Sequence, residues 1–150
     1  MGGDTVEVRL ARDETEIEEA KQLRLRVFAQ EQGFSREADV DGLDPGATHL
    51  VAVRRGAVVG TCRLRFPRGN CKLERMVVEQ NLRGTGIGAE LVREAELEAE
   101  RQGATEVVLH AQRPAEGFYA ACGYSTEGDP FLEEGRPHVQ MRKRLSGRGA

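Results

Sequence analysis

The run from residue 83 to residue 88, Arg-Gly-Thr-Gly-Ile-Gly, constrains the fold of this chain more than any other feature. It lies between an apolar, strand-like stretch, Leu73 to Val78, and a helical stretch, Ile87 to Gln102. The start of a helix leaves backbone N–H groups without partners and carries a partial positive charge. Glycines allow a ligand to approach that backbone closely. The run therefore predicts an anion site, most simply for a pyrophosphate.

Three other interpretations of the glycine run have to be weighed. Residues 84–89 fit the dinucleotide pattern G-x-G-x-x-G/A, but that pattern expects a carboxylate at the end of the next strand. After Thr105 to Leu109 the chain continues with His110, Ala111 and Gln112 instead. A Walker-type phosphate loop needs a lysine, and the run has none. A turn without any ligand stays open, because turns explain many short glycine clusters.

Apolar periodicity and turn residues predict the remaining elements. They are a strand at Val6 to Leu10, a helix opened by the capping-box-like Thr15 to Glu18 and ending near Gly33, an acidic loop from Phe34 to Ala47, antiparallel strands at His49 to Arg54, Val58 to Phe66 and Cys71 to Val78, the long helix, a strand at Val107 to Ala111, a short helix at Ala115 to Cys122, and strands near Tyr124 and at Val139 to Leu145.

This order of elements predicts one α/β domain over residues 1–150, with its core at about residues 6–145. The strands that end at Val78 and Ala111 flank the long helix, so they should form a parallel pair. The expected architecture is a twisted mixed β-sheet with helices on both faces.

Composition excludes several classes of protein. A net charge of −3 gives no reason to expect a nucleic-acid partner. No apolar run approaches the roughly 20 residues of a membrane span, so no membrane partner is expected. No His, Cys, Asp or Glu group has zinc-like spacing, and no metal is predicted.

The three cysteines, Cys62, Cys71 and Cys122, are an odd number without a C-x-x-C pair. In the predicted hairpin, Phe66 faces Cys71, so Cys62 lies about 13 Å from Cys71 along the strands. That distance is too long for a disulfide. Free thiols suit a reducing compartment, and we expect a cytoplasmic protein.

The pattern Arg83-x-x-Gly86-x-Gly88, after an apolar strand that carries a glutamate, resembles the acyl-CoA signature of the GNAT acetyltransferase superfamily. Further segments resemble its ElaA-like branch, and together they span residues 6–145. These segments are Arg24-x-x-Val27-Phe28-x-x-Glu31-Gln32, Ala111-Gln112, Phe118-Tyr119 and Pro137-His138-x-x-Met141.

The resemblance implies the GNAT acyl-CoA N-acyltransferase fold, with acetyl-CoA as co-substrate and an N-acetyltransferase activity by direct transfer in a ternary complex. In that fold the two parallel strands splay apart, and the pantetheine adds between them like an extra strand. The residues implied for cofactor binding are Met76, Val77 and Val78 by their backbone, Arg83, Gly84, Thr85, Gly86, Ile87 and Gly88 at the pyrophosphate, and Gln112 at the pantetheine. For Gln112, a plain turn residue is the alternative. A backbone N–H near Val77 would stabilise the oxyanion.

Glu74 and Tyr119 are the candidate catalytic residues. Glu74 is expected to share a strand face with Met76 and Val78, and it could remove a proton from the amine, directly or through a water. The same hairpin register places Arg63 opposite Glu74, and an ion pair there would lower its pKa and weaken it as a base. Tyr119 is implied as the acid that protonates the coenzyme A thiolate, with a core tyrosine as the alternative.

The amine acceptor, a small molecule or a peptide, is not identified by the sequence. Glu37, Asp39, Asp41 and Asp44 could attract a cation, but a solvated acidic loop is the simpler interpretation. Arg24 could pair along its helix with carboxylates such as Glu19. The resemblance also implies a possible homodimer.

His49 and His138 are predicted to be structural histidines, because each lies at the start of a strand. A non-catalytic module that binds coenzyme A as a sensor is the alternative to an enzyme. An oxidoreductase that binds NAD at the glycine run is the third function considered.

Overall fold

The computed structural model describes residues 5–31, 33 and 41–145. Within this part of the chain, seven strands form one sheet. The strands are β1 (Val6–Leu10), β2 (Thr48–Arg54), β3 (Ala57–Arg65), β4 (Cys71–Val78), β5 (Glu106–Gln112), β6 (Ser125–Glu133) and β7 (Arg136–Arg144), and the helices are α1 (Glu14–Leu25), α2 (Ile87–Arg101) and α3 (Glu116–Ala121).

The strand order is β1-β2-β3-β4-β5-β7-β6, and β4 and β5 are the parallel pair. One apolar cluster lies between the sheet and α2, where Leu91 and Ala95 are completely buried. A second cluster lies on the other face, where Ala20 and Leu23 of α1 pack with Val51. The predicted mixed sheet with helices on both faces is confirmed.

The start of α1 differs from the prediction by two residues. Asp13 is the N-cap residue, and its Oδ1 accepts a hydrogen bond from the backbone N–H of Glu16 at 2.9 Å. Aspartate is among the best N-cap residues, so the helix begins at Glu14 instead of within the expected capping box at Thr15. The helix ends at Leu25 and continues as a π-helical turn, Arg26–Glu31.

The parallel ladder between β4 and β5 is short. It pairs Cys71 with Val107, Lys72 with Val108 and Leu73 with Leu109, and then it stops, although both strands continue. The splayed strand pair implied by the family resemblance is therefore present. Beyond Leu73 and Leu109, the two strands have edges that do not pair with each other.

A β-bulge in β4 accompanies this divergence. Arg63 faces Glu74 and Thr61 faces Val77, so one residue of β3 opposes two residues of β4, and Arg75 between them has a φ of 56°. The extra residue shifts the alternation of side chains. Val77 packs into the cluster beneath α1, whereas Met76 packs into the cluster beneath α2.

The bulge overturns one expectation of the sequence analysis. Leu73 belongs to the cluster beneath α2, so Glu74 points to the opposite face of the sheet. Glu74 therefore shares a face with Val77 and not with Met76 and Val78. The expectation of strict alternation along β4 was wrong, because the positive φ of Arg75 inserts one residue out of register.

Helix α2 crosses the sheet closely at Gly60 of β3. A Cβ atom at this position would lie 3.2 Å from Ile87 Cγ2 and 3.2 Å from Leu91 Cδ1. Real Cβ atoms seldom approach other carbons so closely, so the helix rests on the backbone of β3. This contact fixes the height of the first turn of α2 above the sheet.

We expect Gly60→Val to lower the free energy of unfolding by about 1–3 kcal/mol, because the added methyl groups would force Ile87 and Leu91 out of their packing. Urea denaturation measures the change. Ala57→Val is the matched control, since Ala57 lies on the same strand and is exposed. The control should stay within about 0.5 kcal/mol of the unchanged protein. Equal stability of the two variants would show that the close packing at Gly60 does not matter.

Candidate active site

A cavity of about 640 Å³ lies where β4 and β5 diverge. Its size is in the range of about 300–1,000 Å³ that is usual for small-molecule and cofactor sites. The walls come from the second half of β4, the end of β5, the first turn of α2, helix α3 and the hairpin between β6 and β7. Every predicted site residue except Thr85 lines this cavity.

The glycine run forms one end of the cavity. Gly86 is the N-cap residue of α2 with a φ of 94°, and no side chain caps the helix there. Gly84 also has a positive φ, of 81°. The first-turn N–H groups of Ile87, Gly88 and Ala89 have no acceptor within the helix. The start of this helix of 15 residues therefore offers backbone donors, which is the arrangement that the predicted anion site requires.

Two residues of the run have roles that the sequence did not suggest. A Cβ atom at Gly88 would lie 3.1 Å from Phe118 Cζ, so this glycine makes room for an aromatic ring of α3. Thr85 Oγ1 donates a hydrogen bond to the carbonyl of Leu82 at 2.5 Å. Its side chain stabilises the turn, and only its backbone could take part in binding.

Glu74 is held by two arginines. Its Oε1 accepts hydrogen bonds from Arg63 Nη2 at 2.7 Å and from Arg65 Nε at 2.7 Å, and its Oε2 accepts from Arg65 Nη2 at 2.9 Å. Burial alone would raise the pKa of Glu74, but the hydrogen bonds and charges of Arg65 and Arg63 outweigh it and lower the pKa to about 2. The predicted pairing of Glu74 with Arg63 is confirmed. This arrangement makes Glu74 a poor proton acceptor.

Arg63 is the centre of a larger ion-pair network. Its side chain is 1% exposed and also contacts Asp41 at 2.7 Å and Asp44 at 3.1 Å. Arg24, likewise 1% exposed, binds both oxygens of Asp44. The pKa of Asp44 is lowered, because these two guanidinium groups outweigh the effect of burial.

The network corrects two interpretations of the sequence. Asp41 and Asp44 are not part of a solvated acidic loop, since both are bound to buried arginines. Arg24 does not pair along its own helix, but reaches 20 residues further along the chain. The remaining acidic residues of that loop, Glu37 and Asp39, lie outside the described residues, as do Gln32 and the side chain of Glu31 in the branch motif.

Tyr119 lies in the wall of the cavity and is 8% exposed. Its ring makes edge-to-face contacts with Phe118, at 4.9 Å between centroids, and with Tyr124, at 6.0 Å. Burial raises the pKa of Tyr119 above its ordinary range. The phenol therefore stays protonated at neutral pH and is available as a donor.

The sequence analysis did not assign to the site the wall that β5 and the β6–β7 hairpin form. His110, Glu133 and Glu134 line the cavity there, together with His138, which was predicted to be a structural histidine. His110 and Gln112 are two residues apart on β5, and this spacing was the available signal that both point to one face. His49, in contrast, lies outside the cavity lining and contacts the carbonyl of Asp44 through Nε2 at 3.0 Å, as expected of a structural histidine.

Residues 12–145 match the family model described as an acetyltransferase (GNAT) domain. The chain belongs to the GNAT acetyltransferase family. It is 34% identical over 135 residues to the uncharacterized N-acetyltransferase YjcF of Bacillus subtilis, covering 89% of this chain and 96% of that protein. The predicted family is thereby confirmed, and acetyl transfer from acetyl-CoA is the reaction of this family.

Two solved structures show the same fold. An acyl-CoA N-acyltransferase from Pseudomonas aeruginosa superposes with a TM-score of 0.81 at 29% identity, covering 93% of this chain and 99% of that one. Escherichia coli ElaA superposes with a TM-score of 0.79 at 22% identity, covering 93% and 98%. The GNAT fold predicted for this member of the family is confirmed.

Within the described part of the chain, no group of three or more His, Cys, Asp or Glu side chains is placed to hold a metal ion. No helix within residues 5–31 and 41–145 is long and apolar enough to cross a membrane.

We expect Glu74→Gln to lower the free energy of unfolding at pH 7 by about 3 kcal/mol, because it removes one partner from a buried ion pair. The folded-state pKa of about 2 lies below the ordinary 4.5, so the stabilisation by Glu74 is present above pH 4.5 and is lost as the pH falls to about 2. The difference between the two proteins should therefore shrink over this interval. Urea denaturation between pH 7 and pH 2 measures it.

Glu90→Gln is the control for this prediction. Glu90 is an exposed residue of α2 that pairs with Arg93 three residues later. Exposed pairs contribute about 0–1 kcal/mol, so this variant should unfold like the unchanged protein. A stability difference for Glu74→Gln that does not change between pH 7 and pH 2 would contradict the ion-pair explanation.

Proposed function

We propose that this family member transfers the acetyl group of acetyl-CoA to a primary amine by direct attack within a ternary complex. One observation carries the proposal: a single cavity joins the backbone donors at the start of α2 to the diverging edges of β4 and β5. An acyl-CoA has its charge at the pyrophosphate and its amides along the pantetheine. The two parts of the cavity offer the matching partners.

The diphosphate binds at the first turn of α2, to the backbone of residues 83–88. The pantetheine lies between β4 and β5, where its amides pair with the backbone of Met76, Val77 and Val78 as an added strand would. Gln112, the last residue of β5, lines the same cavity and contacts the pantetheine. In this pose the thioester lies near the point where the two strands diverge.

The chemistry follows from this pose. The amine nitrogen attacks the thioester carbon, a C–N bond forms, and the C–S bond breaks with its electron pair going to sulfur. A backbone N–H near Val77 stabilises the oxyanion. Tyr119 gives its proton to the departing thiolate. A base role for Glu74 stays a prediction of the sequence analysis, and its ion pairs with Arg63 and Arg65 argue against that role.

Two further properties belong to the proposal. Cys62, Cys71 and Cys122 are all free thiols, which suits the reducing cytoplasm. The acceptor is a small molecule or a peptide with a primary amine. A homodimer stays a prediction, which light scattering on the purified protein tests.

We expect Gly86→Ala to weaken binding of coenzyme A by about tenfold. An alanine at a φ of 94° is strained by about 1–2 kcal/mol, and relief of that strain would rotate the N–H groups of the first turn away from the diphosphate. Isothermal titration calorimetry with coenzyme A measures the affinity. A dissociation constant equal to that of the unchanged protein would contradict the assignment.

Gly103→Ala is the matched control for Gly86→Ala. Gly103 has a φ of 87° just beyond the other end of α2, and the space around its Cβ position is open, as it is at Gly86. Both variants carry a similar backbone strain, but only Gly86 lines the cavity. Equal losses of affinity would indicate a general effect on α2. If the unchanged protein gives no heat with coenzyme A, the proposed function fails.

We expect Tyr119→Phe to lower kcat by about 100-fold while leaving the affinity for coenzyme A unchanged, because general acid catalysis contributes about 10²–10⁴ to the rate. Release of free thiol from acetyl-CoA measures turnover with a panel of amines: a lysine peptide, spermidine and benzylamine. Tyr124→Phe is the control, since its hydroxyl binds Glu96 at 3.0 Å outside the cavity. Binding of coenzyme A without turnover of any amine would favour the non-catalytic sensor.

A further inference from the structure

We propose that His138 is the catalytic base of this reaction and that its Nε2 removes the proton from the ammonium form of the acceptor. The inference rests on the proposed function and deepens it. It also specifies the acceptor as an alkyl amine that is protonated in water at neutral pH. Such amines have a pKa near 10, so almost none of the nucleophile is neutral without a base.

The histidine has a fixed orientation at the wall of the cavity. The residue is 5% exposed, and its ring stacks on Phe131 with 6.1 Å between centroids and 26° between planes. Strand β7 places it directly opposite Gln112 at the end of β5. A ring held in this way keeps both nitrogens in defined directions.

Hydrogen bonding determines which nitrogen of His138 carries the proton. The Nδ1 atom lies 2.8 Å from the carbonyl oxygen of Arg136. A carbonyl only accepts, so Nδ1 must donate and carries hydrogen. The neutral ring then has a free lone pair at Nε2. The contact of Nε2 with Glu133 Oε2, at 3.9 Å, is too long for a hydrogen bond.

The neighbouring His110 has partners at both ring nitrogens. The amide of Gln140 donates a hydrogen bond through Nε2 to Glu127 at 2.6 Å. The Oε1 atom of Gln140 then lies 3.2 Å from His110 Nε2. His110 Nδ1 lies 2.9 Å from Glu133 Oε1. Both ring nitrogens of His110 are therefore occupied by contacts with side-chain oxygens. Among the described residues, Nε2 of His138 has no hydrogen-bond partner of this kind.

One carboxylate lies beside His138. Glu133 Oε2 is 3.9 Å from Nε2, where an anion would stabilise the imidazolium that forms when Nε2 takes a proton, and Oε1 of the same group contacts His110. The titratable and charged groups that face the cavity from the packed elements are Glu74, Arg75 and Arg83 on and after β4, His110 on β5, Tyr119 on α3, and Glu133 and Glu134 on the β6–β7 hairpin. The negative charge of Glu74 is compensated by its ion pairs with Arg63 and Arg65.

The proton balance of the reaction then closes. The ammonium gives one proton to His138 Nε2, and the neutral nitrogen attacks the thioester. The second proton leaves the nitrogen as the amide forms, and the thiolate receives its proton from Tyr119, which is reprotonated from that second proton. His138 releases its proton to water. The sum is ammonium and thioester in, amide, thiol and one proton out.

The kinetic test compares two probe amines, benzylamine and benzhydrazide. Benzylamine is a cation at neutral pH, whereas benzhydrazide is already neutral. We expect His138→Asn to lower kcat/KM about 100-fold for benzylamine and by less than about threefold for benzhydrazide, because only the cation needs a base. Asparagine keeps a donor for the carbonyl of Arg136.

His49→Asn is the matched control, since His49 is equally buried but lies outside the cavity lining. It should affect both amines alike. Equal losses for both amines in His138→Asn would overturn the inference while leaving the proposed function intact. If the unchanged protein acetylates spermidine or the lysine peptide but not benzylamine, that amine replaces benzylamine in the comparison. No turnover of any amine overturns both.

A second measurement does not depend on the acceptor. Nitrogen-15 spectra of histidine-labelled protein at pH 7.5 report which ring nitrogen carries hydrogen, and the signal of His138 is assigned by its loss in His138→Asn. We expect hydrogen on Nδ1 and none on Nε2. Hydrogen on Nε2 at this pH would overturn the inference, whatever the kinetic result.

Discussion

The early end of the parallel ladder between β4 and β5 is the constraint on which the rest of the structure depends. The ladder pairs only three residues of each strand, and the bulge at Arg75, just beyond its end, adds a residue to β4. A continuous ladder would leave no cavity. The divergence exposes backbone groups on both strands, and it brings them beside the first turn of α2, so that one site can hold both an anion and an extended chain of amides.

The buried guanidinium of Arg63 decides how charge is distributed around that site. Two buried arginines, Arg63 and Arg24, need carboxylate partners, because an unpaired charge in the interior is costly. Glu74, Asp41 and Asp44 meet this need. The carboxylate that the family resemblance makes a candidate base is therefore engaged in holding the fold together. His138, on the β6–β7 hairpin, then removes the proton through the free lone pair of Nε2.

Much of the fold and part of the site could be predicted from the sequence. The glycine run, the long helix and the two flanking strands are local patterns, and their positions were correct to within a few residues. The pairing of Arg63 with Glu74 followed from counting across a hairpin turn. In contrast, the contacts of Arg24 with Asp44 and of His110 with Glu133 join residues 20 and 23 positions apart. No local spacing rule connects such residues.

The sequence by itself determined the family, the order of the elements and the anion-binding turn, because backbone conformation and helix polarity depend on neighbouring residues. Only the tertiary structure decided the ionisation of the side chains around the cavity. Whether a glutamate or a histidine can take a proton depends on burial and on partners within about 4 Å. Those partners come from strands and loops that meet only when the sheet has formed.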